Sequence, residues 1–137
     1  MPTFNIETAE INVFKVESVD LYTFSQCFDL EKLFEALREY YDSDYYRYEV
    51  PADNLDKVET ILSRYCYDLN RVAFDAIEPF CVVKQKDTDH ADISPNSVYH
   101  TNRGSMTVFV MQDRLSSQQA IEQGATPLAD SSINFQL

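Results

Sequence analysis

The hydrophobic pattern of the chain changes period at Asp29, and this change limits the fold more than any other feature of the sequence. Before Asp29, polar and apolar residues alternate in stretches such as residues 10–17, which is the two-residue period of a half-buried strand. After it, apolar residues recur every three or four positions, which predicts an amphipathic helix over residues 29–42 with Asp29 as its N-cap. The chain therefore combines strands with helices.

Periodicity and turn residues also predict the elements of the rest of the chain. A second apolar stripe predicts a helix over residues 53–77, capped by Asp53 and bent near residues 68–70. The other predicted elements are one or two strands within 4–24, strands over 45–50 and 80–85, a polar loop over 87–96 and a hairpin of 98–102 and 106–112 around Gly104. A short helix is predicted from a cap at Ser116 or Ser117 through Glu122, with Gly124 as its C-terminal stop.

These elements predict one α+β domain over residues 1–137. We expect a mainly antiparallel sheet of about four to six strands, packed against two principal helices over residues 29–42 and 53–77. The strand over residues 106–112 is apolar on both faces, so we expect it in the interior of the sheet. Residues 125–137 carry one charge and no strong pattern, which leaves a tail that either packs or frays.

Negative charge is the second strong feature of the sequence. The 137 residues hold 23 Asp and Glu against 11 Lys and Arg, a formal net charge of −12. Residues 1–68 hold 15 acids against six bases and residues 69–137 hold eight against five, so the two halves carry −9 and −3. On the first predicted helix, Glu31, Glu35 and Glu39 recur every four residues and therefore share one face.

Tyrosines overlap this acidic segment, since seven of the nine lie within residues 40–67. A tyrosine ring accepts a guanidinium on its face, and a nearby carboxylate binds the same group in bidentate fashion, so the combination suits a basic protein surface. The alternative is that these rings fill the core and that the charge only keeps the domain in solution. The predicted partner-binding residues are Glu31, Glu35, Glu39, Asp42, Asp44, Tyr45, Tyr48, Glu49, Asp53 and Asp56.

The charge excludes some partners and favours others. Direct binding of nucleic acid or of an anionic membrane relies on clustered Lys and Arg, so neither is expected. The sequence favours a non-enzymatic binding protein that inhibits a basic, nucleic-acid-binding protein as a decoy of the phosphate backbone, as phage anti-CRISPR and anti-restriction inhibitors do. Two alternatives of similar chemistry are an immunity or antitoxin protein for a nuclease toxin and a subunit of a larger assembly.

A metal-dependent enzyme is the alternative from another class of function. Asp87, Asp89, His90 and Asp92 form the one local cluster of metal-capable side chains, yet their order fits neither an EF-hand loop nor a zinc helix. A solvated polar loop is the favoured interpretation. No cofactor is predicted, because two glycines cannot build a phosphate-binding loop of the usual kind.

The remaining signals concern the compartment. Cys27, Cys66 and Cys81 are odd in number and lack the spacing of a disulfide framework or a zinc knuckle, so we expect reduced and mostly buried thiols. No apolar run is long enough to cross a membrane, and the first residues lack the order of a secretory signal. These observations predict a cytoplasmic protein.

Overall fold

The structure is a computed structural model that describes residues 9–135 and Leu137, without the side chain of Phe74. Residues 4–8 of the first predicted strand segment lie outside this description. Within it the elements are β1 Ala9–Val16, β2 Leu21–Phe24, α1 Glu31–Leu37, β3 Tyr41–Asp42, β4 Arg47–Pro51, α2 Leu55–Ser63, β5 Tyr67–Val72, β6 Cys81–Gln85, β7 Ser97–Arg103, β8 Met106–Met111, α3 Arg114–Glu122 and β9 Thr126–Pro127.

The strands form two sheets, one from the N-terminal part of the chain and one from the C-terminal part. The first sheet has the order β3-β4-β2-β1-β5, and the second has the order β7-β8-β6-β9. Every described pairing is antiparallel except that of β1 with β5, which is parallel. The α+β class and the mainly antiparallel pairing are therefore confirmed. The strands are divided between two sheets, where the sequence predicted one.

The two sheets pack face to face between layers of helix. On β1, Val13 points to a core shared with α1 and α2, while the next residue, Phe14, points to a core shared with the second sheet. On β8, Val108 and Val110 face this second core, and Phe109 faces a third core that includes Ala120 of α3. The order of layers is thus α1 and α2, first sheet, second sheet, α3.

The first helix is shorter than the predicted 29–42. α1 begins after Leu30, and no side chain caps its first turn, so the prediction of an Asp29 cap was wrong. A 3-10 turn over Arg38–Tyr40 ends the helical segment, and Tyr41 begins β3. Tyr41 lies opposite Tyr48 of β4, with the two ring centroids 5.0 Å apart. Strand pairing and this aromatic contact therefore replace the last helical turn.

The second helix differs more, because α2 ends at Ser63 and the prediction of one helix over 53–77 was wrong. Cys66 adopts a left-handed conformation with φ 65°, which ends the helical path. Residues Tyr67–Val72 then pair in parallel with β1 over six consecutive positions. Asp53 does not cap α2 either, since it lies in a 3-10 turn over Ala52–Asn54 that precedes the helix.

The C-terminal elements follow the prediction more closely. β7 and β8 form the expected hairpin, Gly104 supplies the positive φ of 61° at its turn, and β8 lies inside its sheet. Asp113, not Ser116 or Ser117, caps α3, because its Oδ1 accepts a hydrogen bond of 2.7 Å from the Ser116 amide. Beyond Gly124 the chain packs, with β9 on β6 and with Leu128 and Phe135 buried.

Phe14 is the residue of the first sheet that most directly tests the packing of the two sheets. It is fully buried and contacts the ring of Phe80 edge to face at 5.3 Å. Phe14→Ala should lower the free energy of unfolding by about 3–5 kcal/mol, because a large cavity forms between the sheets. Val19→Ala is the control, since Val19 is 58% exposed, and should change it by no more than about 0.5 kcal/mol. Urea denaturation measures both, and equal effects would contradict the packing.

Candidate protein-binding surface

The outer face of α1 carries the first part of the predicted surface. Leu33 and Leu37 point into the core, which turns Glu31 and Glu35 outward into solvent. These two carboxylates are one helical turn apart, about 6 Å along the axis. Glu39 is also exposed, but it lies on the 3-10 turn after the helix. The predicted alignment of three glutamates on one helix therefore holds for two of them.

The turn between β3 and β4 extends this acidity. Asp44 is exposed, and Asp42 is half-buried with its Oδ1 accepting a hydrogen bond of 2.9 Å from the Asp44 amide. We call the surface formed by these residues the acidic face, and it consists of Glu31, Glu35, Glu39, Asp42 and Asp44.

The acidic face has no ionic partner among the described residues of the chain. The ion pairs within 4.0 Å join Lys15 to Glu17 and Asp20, Arg47 to Glu49, and Arg71 to Asp56 and Glu59. A pair of Glu35 with Arg38, which the sequence allows, is not formed at that distance. The negative charge of the acidic face is therefore left to solvent or to another molecule.

The sequence also predicts Glu49, Asp53 and Asp56 as partner-binding residues, and two of these three acids have an ionic partner in the chain. Asp53 is exposed, but Asp56 on α2 lies 3.1 Å from a guanidinium nitrogen of Arg71, which neutralises part of its charge. Glu49 is half-buried and lies 3.7 Å from Nε of Arg47. Glu49 and Asp56 are thus partly paired within the chain, whereas Asp53 has no ionic partner among the described residues.

Most of the tyrosine cluster belongs to the core. Tyr48 is 1% exposed and stacks on Phe24 with centroids 4.9 Å apart, so its prediction as a partner-binding residue was wrong. Burial also raises the pKa of its hydroxyl. Tyr45 and Tyr46, at the β3–β4 turn, are 45% and 59% exposed. They are the two members of the cluster that present large rings to solvent beside the acidic face.

Arg47, a base at the β3–β4 turn, is buried and does not present its charge at the surface. Its side chain is only 6% exposed, and its guanidinium lies 4.5 Å from the centroid of the Tyr45 ring. Nε and Nη1 are buried without a hydrogen-bond partner among the described residues, and burial lowers the pKa of the group. The Tyr45 ring in turn lies 4.9 Å from the ring of His100 on β7. Stacking therefore ties the turn to the second sheet and withdraws Arg47 from the surface.

The loop that contains Asp87, Asp89, His90 and Asp92 does not bring their side chains together. Among the described residues, no group of three or more His, Cys, Asp or Glu side chains lies close enough to hold a metal ion. The ring nitrogen Nε2 of His90 lies 2.9 Å from the carbonyl of Gln85, and Oδ1 of Asp89 accepts a hydrogen bond from the Ala91 amide. These contacts organise the turn. Asp87 and Asp92 are exposed.

The cysteines differ from the sequence prediction of mostly buried thiols. Cys81 is buried, and burial raises the pKa of its thiol to about 12, which makes it unreactive at neutral pH. Cys27 and Cys66 are exposed, so the prediction was wrong for two of the three. All three are free.

A cleft between the two sheets is a feature that the sequence did not reveal. It has a volume of about 420 Å³ and is lined by residues from four separate segments, among them Cys27, Tyr46, Asn96 and Gln112. No local motif joins these positions, so periodicity and spacing carry no signal for them. The β3–β4 turn forms one wall of the cleft and also carries part of the acidic face.

Comparison of the chain with family models, with curated proteins and with solved structures finds no match. Among the described residues, no helix combines the length and the apolar character that crossing a membrane requires. The functional conclusion rests on the residues themselves.

His100 makes the free energy of unfolding depend on pH. Burial lowers its pKa, and the charges of Arg47 and His90 add to the effect. The unfolded chain therefore takes up a proton at a higher pH than the folded protein, and the free energy of unfolding should fall as the pH drops below about 6.5. His100→Asn should remove that part of the fall, measured by urea denaturation at about pH 7.5 and about pH 5.5.

Thr101→Asn is the matched control for this prediction, because Thr101 lies on the same strand and does not titrate. It should retain the full dependence on pH. The same dependence in the His100 variant as in the natural protein would contradict the assignment to this histidine.

Proposed function

We propose that the protein is a non-enzymatic inhibitor that binds a basic protein partner through the acidic face. The observation that carries the proposal is the combination of five carboxylates without an ionic partner in the described chain and two exposed tyrosine rings beside them. Long-range attraction between such a face and a positively charged groove speeds association, and tyrosine supplies rigid contact area at low entropic cost.

The target that suits this face best is a protein whose basic groove normally holds nucleic acid. Carboxylates that follow α1 and then the β3–β4 turn offer an anionic track, which competes with a phosphate backbone for the same Lys and Arg residues. This is the logic of phage inhibitors of CRISPR or restriction nucleases, and equally of immunity proteins that neutralise nuclease toxins. A cytoplasmic location belongs to the proposal and agrees with the three free cysteines, since reducing compartments keep thiols unpaired.

Charge reversal on the acidic face tests the proposal. Glu35→Lys together with Glu39→Lys should lower the association rate constant for the partner by about tenfold and reduce its dependence on salt, because the attraction that steers the encounter is lost. The melting temperature should change by no more than about 2 °C, since both side chains are exposed. Surface plasmon resonance at several ionic strengths measures the rates, on the protein captured by affinity purification from the native host and identified by mass spectrometry.

Asp87→Lys together with Glu122→Lys is the matched control. Both residues are exposed and lie on the second-sheet side of the molecule, so the net charge changes equally without a change in the acidic face. The control should associate at nearly the natural rate at moderate salt. Equal loss in both double variants would show that only net charge matters, and no loss in either would contradict the acidic face as the binding surface.

A further inference from the structure

The cleft between the sheets has the size of a binding site, and four separate segments of the chain form its three walls. Its volume of about 420 Å³ is within the range of ligand pockets in proteins. One wall is formed by Ser25 and Gln26, just after β2, and the second by the β3–β4 turn with Tyr46. The third is formed by Asn96 and Gln112, which directly precede β7 and follow β8 of the second sheet. None of the residues that line it carries a formal charge.

Two amides in the third wall are held in a defined orientation. Nε2 of Gln112 donates to Oδ1 of Asn96 at 3.3 Å and to Oγ of Ser116 at 3.4 Å, which commits both of its hydrogens. Gln112 therefore offers its acceptor Oε1, and Asn96, whose oxygen is already bonded, offers its donor Nδ2. The backbone amide of Gln112 also donates to the Asn96 carbonyl at 2.9 Å, which fixes the two residues relative to each other.

A donor beside an acceptor is the complement of a peptide group. The carbonyl of a peptide accepts from an amide NH₂ while its N–H donates to an amide oxygen, so one Asn and Gln pair binds both polar atoms of a passing main chain. Gln26 supplies a third amide from the opposite wall. An uncharged, amide-rich wall suits an extended backbone better than it suits an anion.

The turn that forms the second wall is held in a strained conformation. Tyr46 has φ 56°, a left-handed value that costs a bulky residue of the order of 1–2 kcal/mol. Oγ of Ser25 donates to the Tyr46 carbonyl at 3.1 Å and holds it there. Such strain is typical of functional segments, and here it fixes the position of an exposed ring at the mouth of the cleft.

Acidic residues lie next to the cleft in two places. The β3–β4 turn that forms its second wall also carries Asp42 and Asp44 of the acidic face. A smaller cavity that shares Ser25, Gln26 and Gln112 with the cleft is lined by Glu10 and Asp113. A segment bound in the cleft therefore has a neutral wall beside its backbone and two groups of carboxylates nearby.

We propose that this cleft binds an extended segment of the basic partner, with the backbone on Asn96 and Gln112 and with Lys or Arg side chains paired with the two neighbouring groups of carboxylates. The inference rests on the proposed function, because it uses the same partner and adds the part of it that is recognised. Binding of an extended main chain gives affinity that is largely independent of sequence, while the neighbouring carboxylates select basic segments.

Cys27 provides the test, because it lines the cleft and is exposed, while Cys66 is exposed outside it. The probe is a capped nine-residue peptide of alternating lysine and alanine, and the readout is the alkylation rate of each cysteine by iodoacetamide, resolved by mass spectrometry. At ten times its dissociation constant the peptide should slow alkylation of Cys27 about tenfold and leave Cys66 unchanged. Cys81 is buried and should stay unmodified, which verifies that the protein remains folded.

Three comparisons make the result decisive. Asn96→Ala together with Gln112→Ala should abolish protection of Cys27, whereas Gln118→Ala, an exposed amide on α3, should leave it intact. A matched peptide of alternating glutamate and alanine should give no protection. An unchanged Cys27 rate with the basic peptide, equal protection by the acidic peptide, or protection by adenosine instead would overturn the inference.

The same readout separates this inference from the proposed function. If the captured partner binds with the expected sensitivity to reversal of Glu35 and Glu39 but leaves Cys27 fully reactive in the complex, the cleft inference fails and the proposed function stands. If partner binding ignores the reversal, the proposed function fails, and with it the partner segment that the cleft was inferred to bind.

Discussion

Burial of both faces of the first sheet is the constraint on which the rest of the structure depends. Val13 and Phe14 are adjacent on β1, and each is fully buried in a different core, one under the helices and one against the second sheet. With both faces covered, most fully buried side chains of this sheet are apolar, and the carboxylates of the acidic face lie on a helix surface and around the β3–β4 turn, because burial of an unpaired charge is costly. The acidic face lies on α1 and the β3–β4 turn, and the cleft lies where this turn approaches the second sheet.

The charge of this region follows from how its one buried base is used. Arg47 lies under Tyr45, near Glu49 and opposite Asp42 in the β3–β4 pairing, so its buried charge stabilises the turn and interacts with Glu49 and Asp42. Asp44 remains exposed without an ionic partner among the described residues. Arg71 has the opposite role on the far edge of the sheet, where it neutralises Asp56. The fold thus concentrates negative charge on the acidic face, and the proposed function requires the electrostatic field of this face.

The sequence predicted elements well where local pattern and tertiary packing agree. The α1 stripe and the β7–β8 hairpin with Gly104 are such cases. It failed at residues 65–72, where Tyr65 and Leu69 continue the helical stripe. Tyr67 and Leu69 also alternate with Asp68 and Asn70, and pairing with β1 decided for the strand. The exposure of Glu31, Glu35 and Asp44 could be predicted, because acids are exposed as a general rule. Tyr48 could not be placed, because a strand tyrosine is compatible with either face. The cleft joins four separate segments, so no local pattern predicts it.

Hydrogen–deuterium exchange of the protein alone and in complex with its captured partner tests the central claim most directly, because it reports which backbone amides the partner covers. We expect slower exchange in residues 31–47 and at the cleft residues near 25–27, with the protection at 31–47 lost at high salt. Protection confined to α3 or to β5, with residues 31–47 unchanged in the complex, would contradict it.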